Sequence, residues 1–284
     1  MLDKILKFWN HMPEHIDPVL FQAGQFQVRY YGLMYVVAFS VVYMLVMFRI
    51  RHEKYEYSGE QIQNYFMWAI LGVIVGGRLG YVLFYNFSYY SSRPLEIILP
   101  FTLKGGFHYT GIGGMSYHGG MIAVILATIF FCRSNKISFW RFTDLLAAAI
   151  PLGYTFGRLG NFLNGELYGR ITDVPWGMYF PLDMTGGLRH PSQLYEAFFE
   201  GIFLFVVLWS IRKRNLPSGS LFALYIAGYG LVRFFIEFVR EPDTQLGFIT
   251  GPFTMGQILC FLMMAGASVV FIIRKKADAK AVSG

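Results

Sequence analysis

The stretch YYGLMYVVAFSVVYMLVMF, from Tyr30 to Phe48, holds no charged residue, and the six positions after it, RIRHEK, bring in Arg49, Arg51 and Lys54. At about 1.5 Å of rise per residue, a helix over such a run nearly matches the roughly 30 Å hydrocarbon core of a bilayer. An apolar run that stops at a basic cluster is the pattern of a helix ending at the cytoplasmic face. Further runs repeat it at Tyr65–Tyr85, Gly119–Cys132 with its flanks, Leu194–Ile211, Leu221–Val239 and Phe253–Ile273. A shorter run, Phe142–Phe156, carries Pro151, so a re-entrant or interfacial helix is the other reading there. The connections after the first, third, fifth and seventh runs hold thirteen of the 24 basic residues: Arg49, Arg51, Lys54; Arg133, Lys136, Arg141; Arg212, Lys213, Arg214; Arg274, Lys275, Lys276, Lys280. The expected fold is an all-α integral membrane protein of about seven transmembrane helices, N-terminus outside (periplasmic) and C-terminus cytoplasmic. It reads as a single polytopic membrane domain over residues 1–284, whose connections near 86–118 and 158–193 form a small periplasmic cap.

Composition agrees. Of the 284 residues 55% are hydrophobic, 19% aromatic and only 14% charged, whereas a soluble domain carries about 25% charged residues. The net charge of +7 sorts to one side of the bilayer rather than into a patch for nucleic acid. Cys132 and Cys260 both lie within apolar runs and read as packing residues, so a thiol used in chemistry would arrive with a substrate. The N-terminal MLDKILKFWNHMPEHIDPVLF is amphipathic, but Asp3, Glu14 and Asp17 interrupt it and no small-residue cleavage site follows. It reads as a segment on the membrane surface rather than a secretory signal.

Ionisable residues inside a span cost about 2.5–3.5 kcal/mol at the helix centre on insertion scales, and are functional candidates by default. Arg78, Arg158, Arg233 and Glu237 stand out, with His118, Asn161, Asn164 and Glu166 at span ends. In the seven-helix topology the three arginines and His118 share one depth near the outer headgroups, where the abundant anion is a phosphate that an arginine fork matches. Blander readings exist: Arg233 and Glu237 are four apart and can pair along one helix, Arg78 can snorkel, and Tyr31, Tyr195 and Tyr229 can be interfacial aromatics. Gly72, Gly76 and Gly80, and Gly153 with Gly157, suit close helix packing. Gly157, Gly160, Gly165 and Gly169 read as positions that break the helix as it leaves the membrane.

Six strings then become specific: GRLGNFLNGELYGR (Gly157–Arg170), RYYGLMY around Tyr31, GGRLGYVLFYN from Gly76, GGMSYHGG around His118, RHPSQLYE from Arg189 and GYGLVRFFIEFVREPD from Gly228. Together and in this order the chain resembles the prolipoprotein diacylglyceryl transferase family over nearly its whole length. The segment between Tyr179 and His190 is shorter than in some members. The resemblance implies transfer of the diacylglyceryl group of phosphatidylglycerol to the thiol of the lipobox cysteine in a prolipoprotein signal peptide, forming a thioether and releasing glycerol phosphate. It implies a bacterial inner-membrane enzyme with its site toward the periplasm and no cofactor or metal. It also implies catalytic roles for His118, Arg158 and Arg233, and substrate contacts at Tyr31, Asn161, Glu166, Gly169, Tyr229, Glu237 and Arg240.

Those residue types suit that reaction. A thiol with an ordinary pKa near 8.5 is mostly protonated at pH 7, and a neutral imidazole can accept its proton; an imidazole that only orients the lipid is the alternative. The departing phosphodiester gains a second negative charge, so arginines bind the transition state more tightly than the substrate. The competing reading is a small-anion or lipid transporter with an arginine-lined site. A purely structural membrane protein would not need the arginines.

Overall fold

In a computed structural model of the chain, residues 1–24, 26–53, 55–99, 101–102, 108–109, 114–241, 248–251 and 253–283 are described. Lys54, most of the glycine-rich run before Gly114, and Pro242 and Asp243 at the end of the last motif lie outside them. The chain begins with α1 (Leu2–Asn10) and the ribbon β1 (Val19–Ala23)–β2 (Phe26–Arg29), then α2 (Tyr30–His52), α3 (Gly59–Tyr85) and α4 (Phe87–Ser91). A second ribbon, β3 (Phe101–Thr102) with β4 (His108–Tyr109), precedes α5 (Tyr117–Ser134), α6 (Phe139–Ala147) and α7 (Ile150–Leu163). After the irregular segment 164–191 come α8 (Ser192–Glu196), a π-helical stretch at Ala197–Phe203, α9 (Leu204–Ile211) and α10 (Ser220–Ile236). The third ribbon, β5 (Phe248–Thr250) with β6 (Phe253–Thr254), leads into α11 (Met255–Ser283).

The fold is that of an all-α membrane protein with three short antiparallel ribbons added. Among the described residues five helices are long and apolar enough to cross a membrane: α2, α3, α5, the continuous Ser192–Ile211, and Met255–Ala279 within α11. In their most apolar windows only 11–33% of residues are buried in the protein. Large apolar side chains such as Met67, Leu71, Val75 and Leu83 on α3 point outward instead, which is stable only where lipid replaces water. The shorter α10 is apolar as well.

The expected span at Phe142–Phe156 is not one helix. α6 ends at Ala147 and α7 starts at Ile150, with Pro151 in the first turn, where its missing N–H is not needed. The break is dry, Ala147, Ala148 and Ala149 all being 0% exposed, so the freed carbonyls need internal donors. Arg49 supplies them, its Nη1 donating to the carbonyls of Asp144 (2.8 Å) and Leu145 (2.7 Å). A cation at a helix C-terminus also complements the macrodipole. Arg49 is therefore buried, and not one of the basic residues facing the membrane edge. Asp144 accepts from the backbone N–H groups of Gly219 (2.6 Å) and Phe222 (2.8 Å), capping α10, which Gly219 cannot do with a side chain of its own. Asp144→Ala strands these buried donors and is expected to destabilise the protein by about 2 kcal/mol, read as a lowered thermal midpoint in detergent.

Two compact units divide the chain, Met1–Arg49 with Thr143–Gly284, and Ile50–Phe142. In the second, α3 and α5 pack through glycines: a Cβ on Gly76 would sit 2.6 Å from the Gly119 carbonyl oxygen, and one on Gly119 would sit 2.3 Å from that of Gly76. That is the close approach small-residue faces permit. Arg78 does not snorkel. It is 8% exposed, and its guanidinium donates to the carbonyls of Ile97 (2.8 Å) and Glu96 (2.7 Å) while lying 4.8 Å from the centre of the Tyr90 ring. In the first unit, Gly153 packs against Val42 and Ala38, and Gly160 against Tyr31 and Met34. Cys132 and Cys260 are both buried packing residues.

The 164–191 segment forms a folded cap whose Met178 and Phe180 share a small core with Phe162 of α7, against which Trp9, Met12 and Ile16 pack. α1 is tied to it by Trp9 Nε1 donating to the Trp176 carbonyl (2.9 Å) and Tyr179 N donating to the Asn10 carbonyl (2.8 Å).

Candidate active site

Three guanidiniums meet around one carboxylate. Arg158, on α7, places Nε 2.8 Å from Glu196 Oε2. Arg233, on α10, brings Nη1 to 3.1 Å from the same oxygen, and Arg240, just past α10, has Nε 3.9 Å from Glu196 Oε1. Two more carboxylates complete the cluster. Glu237 lies 3.4 Å from Arg233 Nε and 3.9 Å from Arg240 Nη1, and Glu200 lies 3.7 Å from Arg233 Nη1. The positive and negative groups balance, which is how charges persist in an apolar bundle.

Exposure separates the two signs. The arginine side chains remain 14–16% exposed, whereas Glu196, Glu200 and Glu237 are 1%, 0% and 4% exposed. The carboxylates are the more deeply buried, and the arginine side chains keep what accessible surface the cluster has. Tyr154 extends the cluster: its hydroxyl accepts from Arg158 Nε (2.6 Å) and donates to Glu200. The Tyr229 ring stands edge-on to that of Tyr154, with centroids 5.7 Å apart.

Glu196 and Glu200, four apart, share one face of a helix that is π-helical from Ala197 to Phe203. Thr155 Oγ1 donates to the Ala197 carbonyl (3.2 Å), and Gly201 packs against the Thr155 side chain. Single π turns of this kind recur at functional sites.

A second line of contacts leads toward the cap. Arg158 Nη1 donates to Asn161 Oδ1 (3.2 Å), and Asn161 Nδ2 donates to Glu166 Oε1 (2.9 Å). The chain turns here after α7, at Gly165 (φ +67°) and Leu167 (φ +59°). A non-glycine residue in the left-handed region is costly and needs fixing by its surroundings. The buried Ser192 and Gln193 provide that, donating to the carbonyls of Leu167 (3.0 Å) and Glu166 (2.7 Å). Only Gly165 makes the break expected of four glycines; α7 runs unbroken through Gly157 and Gly160. Gly169 instead lets two backbones meet: a Cβ there would lie 2.4 Å from the Val239 carbonyl oxygen.

The structure thus gathers Arg158, Asn161, Glu166, Tyr229, Arg233, Glu237 and Arg240 into one connected group, with Gly169 setting the backbone beside Arg240 and Tyr31 packed against Gly160. His118 belongs to the other compact unit, exposed in the first turn of α5, whose cap is Ser116 Oγ accepting from Gly119 N (3.2 Å). Glu196, Glu200 and Tyr154 were missed by the sequence reading. The criterion that selected Arg158, an ionisable group in an apolar run, applies equally to Glu196 and Glu200, which stand four apart in Leu194–Ile211.

The cap carries its own buried ion pair. Arg189 donates through Nε to Asp183 Oδ2 (2.7 Å) and through Nη2 to Asp183 Oδ1 (2.9 Å), while Nη1 reaches Glu241 (2.9 Å). These hydrogen bonds hold the Asp183 carboxyl at about 2, below the usual carboxylate value. A depressed carboxyl stabilises the fold above its ordinary pKa of about 3.9, and that stabilisation is lost as pH falls toward 2. Protection of the amides across 169–190, taken relative to their intrinsic exchange rates, is therefore expected to fall between about pH 4 and pH 2, and Asp183→Asn to remove that step.

Fold and site define a polytopic membrane protein in which three arginines cluster with three buried carboxylates near helix ends. The family model for prolipoprotein diacylglyceryl transferase matches residues 18–273. A phosphatidylglycerol–prolipoprotein diacylglyceryl transferase of Chlorobaculum tepidum is 50% identical over 270 residues, covering 95% of this chain and 93% of the relative. One of Geobacter sulfurreducens is 46% identical over 264 residues (92% and 97%), and one of Campylobacter jejuni is 44% identical over 272 (95% and 98%). The chain belongs to the prolipoprotein diacylglyceryl transferase family.

Proposed function

We propose that this chain transfers the diacylglyceryl group of phosphatidylglycerol to the lipobox cysteine of prolipoproteins, with Arg158 and Arg233 receiving the phosphate. The observation that carries this reading is the convergence of the partly buried Arg158 and Arg233 side chains on one point, in a membrane protein of this family. The thiol sulfur attacks the glyceryl carbon that bears the phosphodiester. The carbon–oxygen bond breaks, and its electron pair leaves with the phosphate of glycerol phosphate. The thiol proton passes to His118, acting as general base. The leaving phosphate goes from one negative charge to two, so arginines set at its oxygens stabilise the transition state more than the ground state. Asn161 and Glu166 hold Arg158 in place, while Tyr31, Gly169, Tyr229, Glu237 and Arg240 shape the lipid seat. The chain acts as one polytopic domain of seven spans in the bacterial inner membrane, N-terminus outside, with the site and cap on the periplasmic side.

The test is purified protein in detergent with phosphatidylglycerol and a lipobox peptide, following peptide mass and free glycerol phosphate. A diacylglyceryl gain with an equal yield of glycerol phosphate is expected. Lipid movement across vesicles with no bond broken would favour the transporter instead. His118→Gln is expected to keep lipid binding and lose turnover; retained turnover would remove His118 as the base.

A further inference from the structure

We propose that Glu196 is a built-in stand-in for the substrate phosphate: it fills the arginine seat in the empty protein, is displaced by the lipid, and returns to expel the glycerol phosphate product. This rests on the phosphate reading above and adds to it a residue that sets turnover.

Glu196 Oε2 occupies the point where Arg158 Nε and Arg233 Nη1 converge, at 2.8 and 3.1 Å, where an oxygen of a clamped phosphate belongs. The fit is imperfect in a telling way. Glu196 Oε1 and Arg233 Nη1, like Glu200 Oε1 and Glu237 Oε2, are buried atoms without an aligned hydrogen bond among the described residues, and of the three carboxylates it is Glu196 that stands between two arginines from different helices. Burial without alignment leaves bonding capacity unspent, and such groups call for an explanation. A two-oxygen planar carboxylate cannot answer forks arriving from two helices as well as a tetrahedral phosphate can. Glu196 is also placed to yield. It sits at the junction of α8 with the π-helical stretch, the place where this helix departs from regular hydrogen bonding. The cluster is balanced only while Glu196 faces the arginines, so an entering phosphodiester replaces one negative charge with another. After the carbon–oxygen bond breaks, the doubly charged product would be held tightly by three guanidiniums. A competing carboxylate on the same cations offsets that grip.

Glu196 is thus a positioning residue, and the sign of its effect separates this role from scaffolding. Glu196→Gln keeps the shape and removes the charge. In the intact protein, glycerol phosphate is expected to inhibit transfer about tenfold more strongly in the variant than in the wild type, with KM for phosphatidylglycerol lowered and kcat lowered by slower product release. Glu200→Gln removes a charge 3.7 Å from Arg233 without vacating the seat, and is expected to change inhibition much less. If Glu196→Gln fails to fold, Glu196→Asp serves: its shortened carboxylate competes less well, and inhibition again tightens. Unchanged or weaker inhibition in a folded Glu196 variant, or equal tightening in Glu200→Gln, overturns the inference while leaving the phosphate reading intact. Absence of any glycerol phosphate inhibition in the wild type sinks both.

Discussion

Arg158→Ala is expected to lower kcat/KM for diacylglyceryl transfer by about 10²–10³-fold, the usual cost of removing one preorganised donor at a developing charge. Arg158 is the busiest group in the cluster: it meets Glu196 and the Tyr154 hydroxyl through Nε and Asn161 through Nη1. Its removal takes away a cation at the seat and frees the Asn161–Glu166 pair. Arg158→Lys keeps the charge but loses the fork, so it is expected to restore only part of the activity. Steady-state rates at several lipid concentrations check this. A variant with wild-type kcat/KM would show that Arg158 only balances the carboxylates.

Gly169→Ala is expected to be nearly as damaging, for a steric reason. The added Cβ would lie 2.4 Å from the Val239 carbonyl oxygen and 2.8 Å from His190 Cβ. Neither can give way cheaply, because Gly169 N donates to the His190 carbonyl (2.8 Å) and Arg170 N to that of Val239 (2.8 Å). Arg170 also ties the cap to the end of α10, with Nε on the Arg240 carbonyl (2.8 Å) and Nη2 on that of Glu237 (3.2 Å). Parting these strands moves the backbone that carries Glu237 and Arg240. A destabilisation of about 1–3 kcal/mol and a loss of more than tenfold in activity are expected, read by thermal unfolding and the transfer assay. Gly157 is the control. A Cβ there meets nothing within 4 Å, so Gly157→Ala is expected to leave the thermal midpoint unchanged or raised.

Sequence legibility followed the physical origin of each feature. Apolar runs such as Tyr30–Phe48 announce helices because lipid demands length and low polarity, and α2 indeed begins at Tyr30. Pro151 marks Phe142–Phe156 as the irregular run, but the place of the break, Ala148–Ala149, is hidden because alanine favours helix. What stabilises the break is Arg49, 95 residues from Asp144 along the chain, and no local pattern reports that. The short ribbons were missed because two- to five-residue strands leave little periodicity. At the site, Arg158, Asn161 and Glu166 were legible as polar residues at a span end. Glu196 and Glu200 stand within an apolar run whose length and hydropathy dominate its reading, and nothing local ties them to their partners Arg158 and Arg233. A buried cation in a bundle needs a counter-charge, and Glu196 and Glu200 are the carboxylates within the Leu194–Ile211 run that can supply it.

The central claim is that Arg158 and Arg233 grip the non-bridging oxygens of the departing phosphate. The measurement that tests it most directly compares phosphatidylglycerol with its phosphorothioate analogue, in which one non-bridging oxygen is sulfur, on wild-type protein and on Arg158→Lys. The predicted result is a marked loss of kcat/KM with sulfur in the wild type and a much smaller loss in the variant, because the fork that senses the oxygen is gone. Equal losses in both proteins, or none in the wild type, would contradict it.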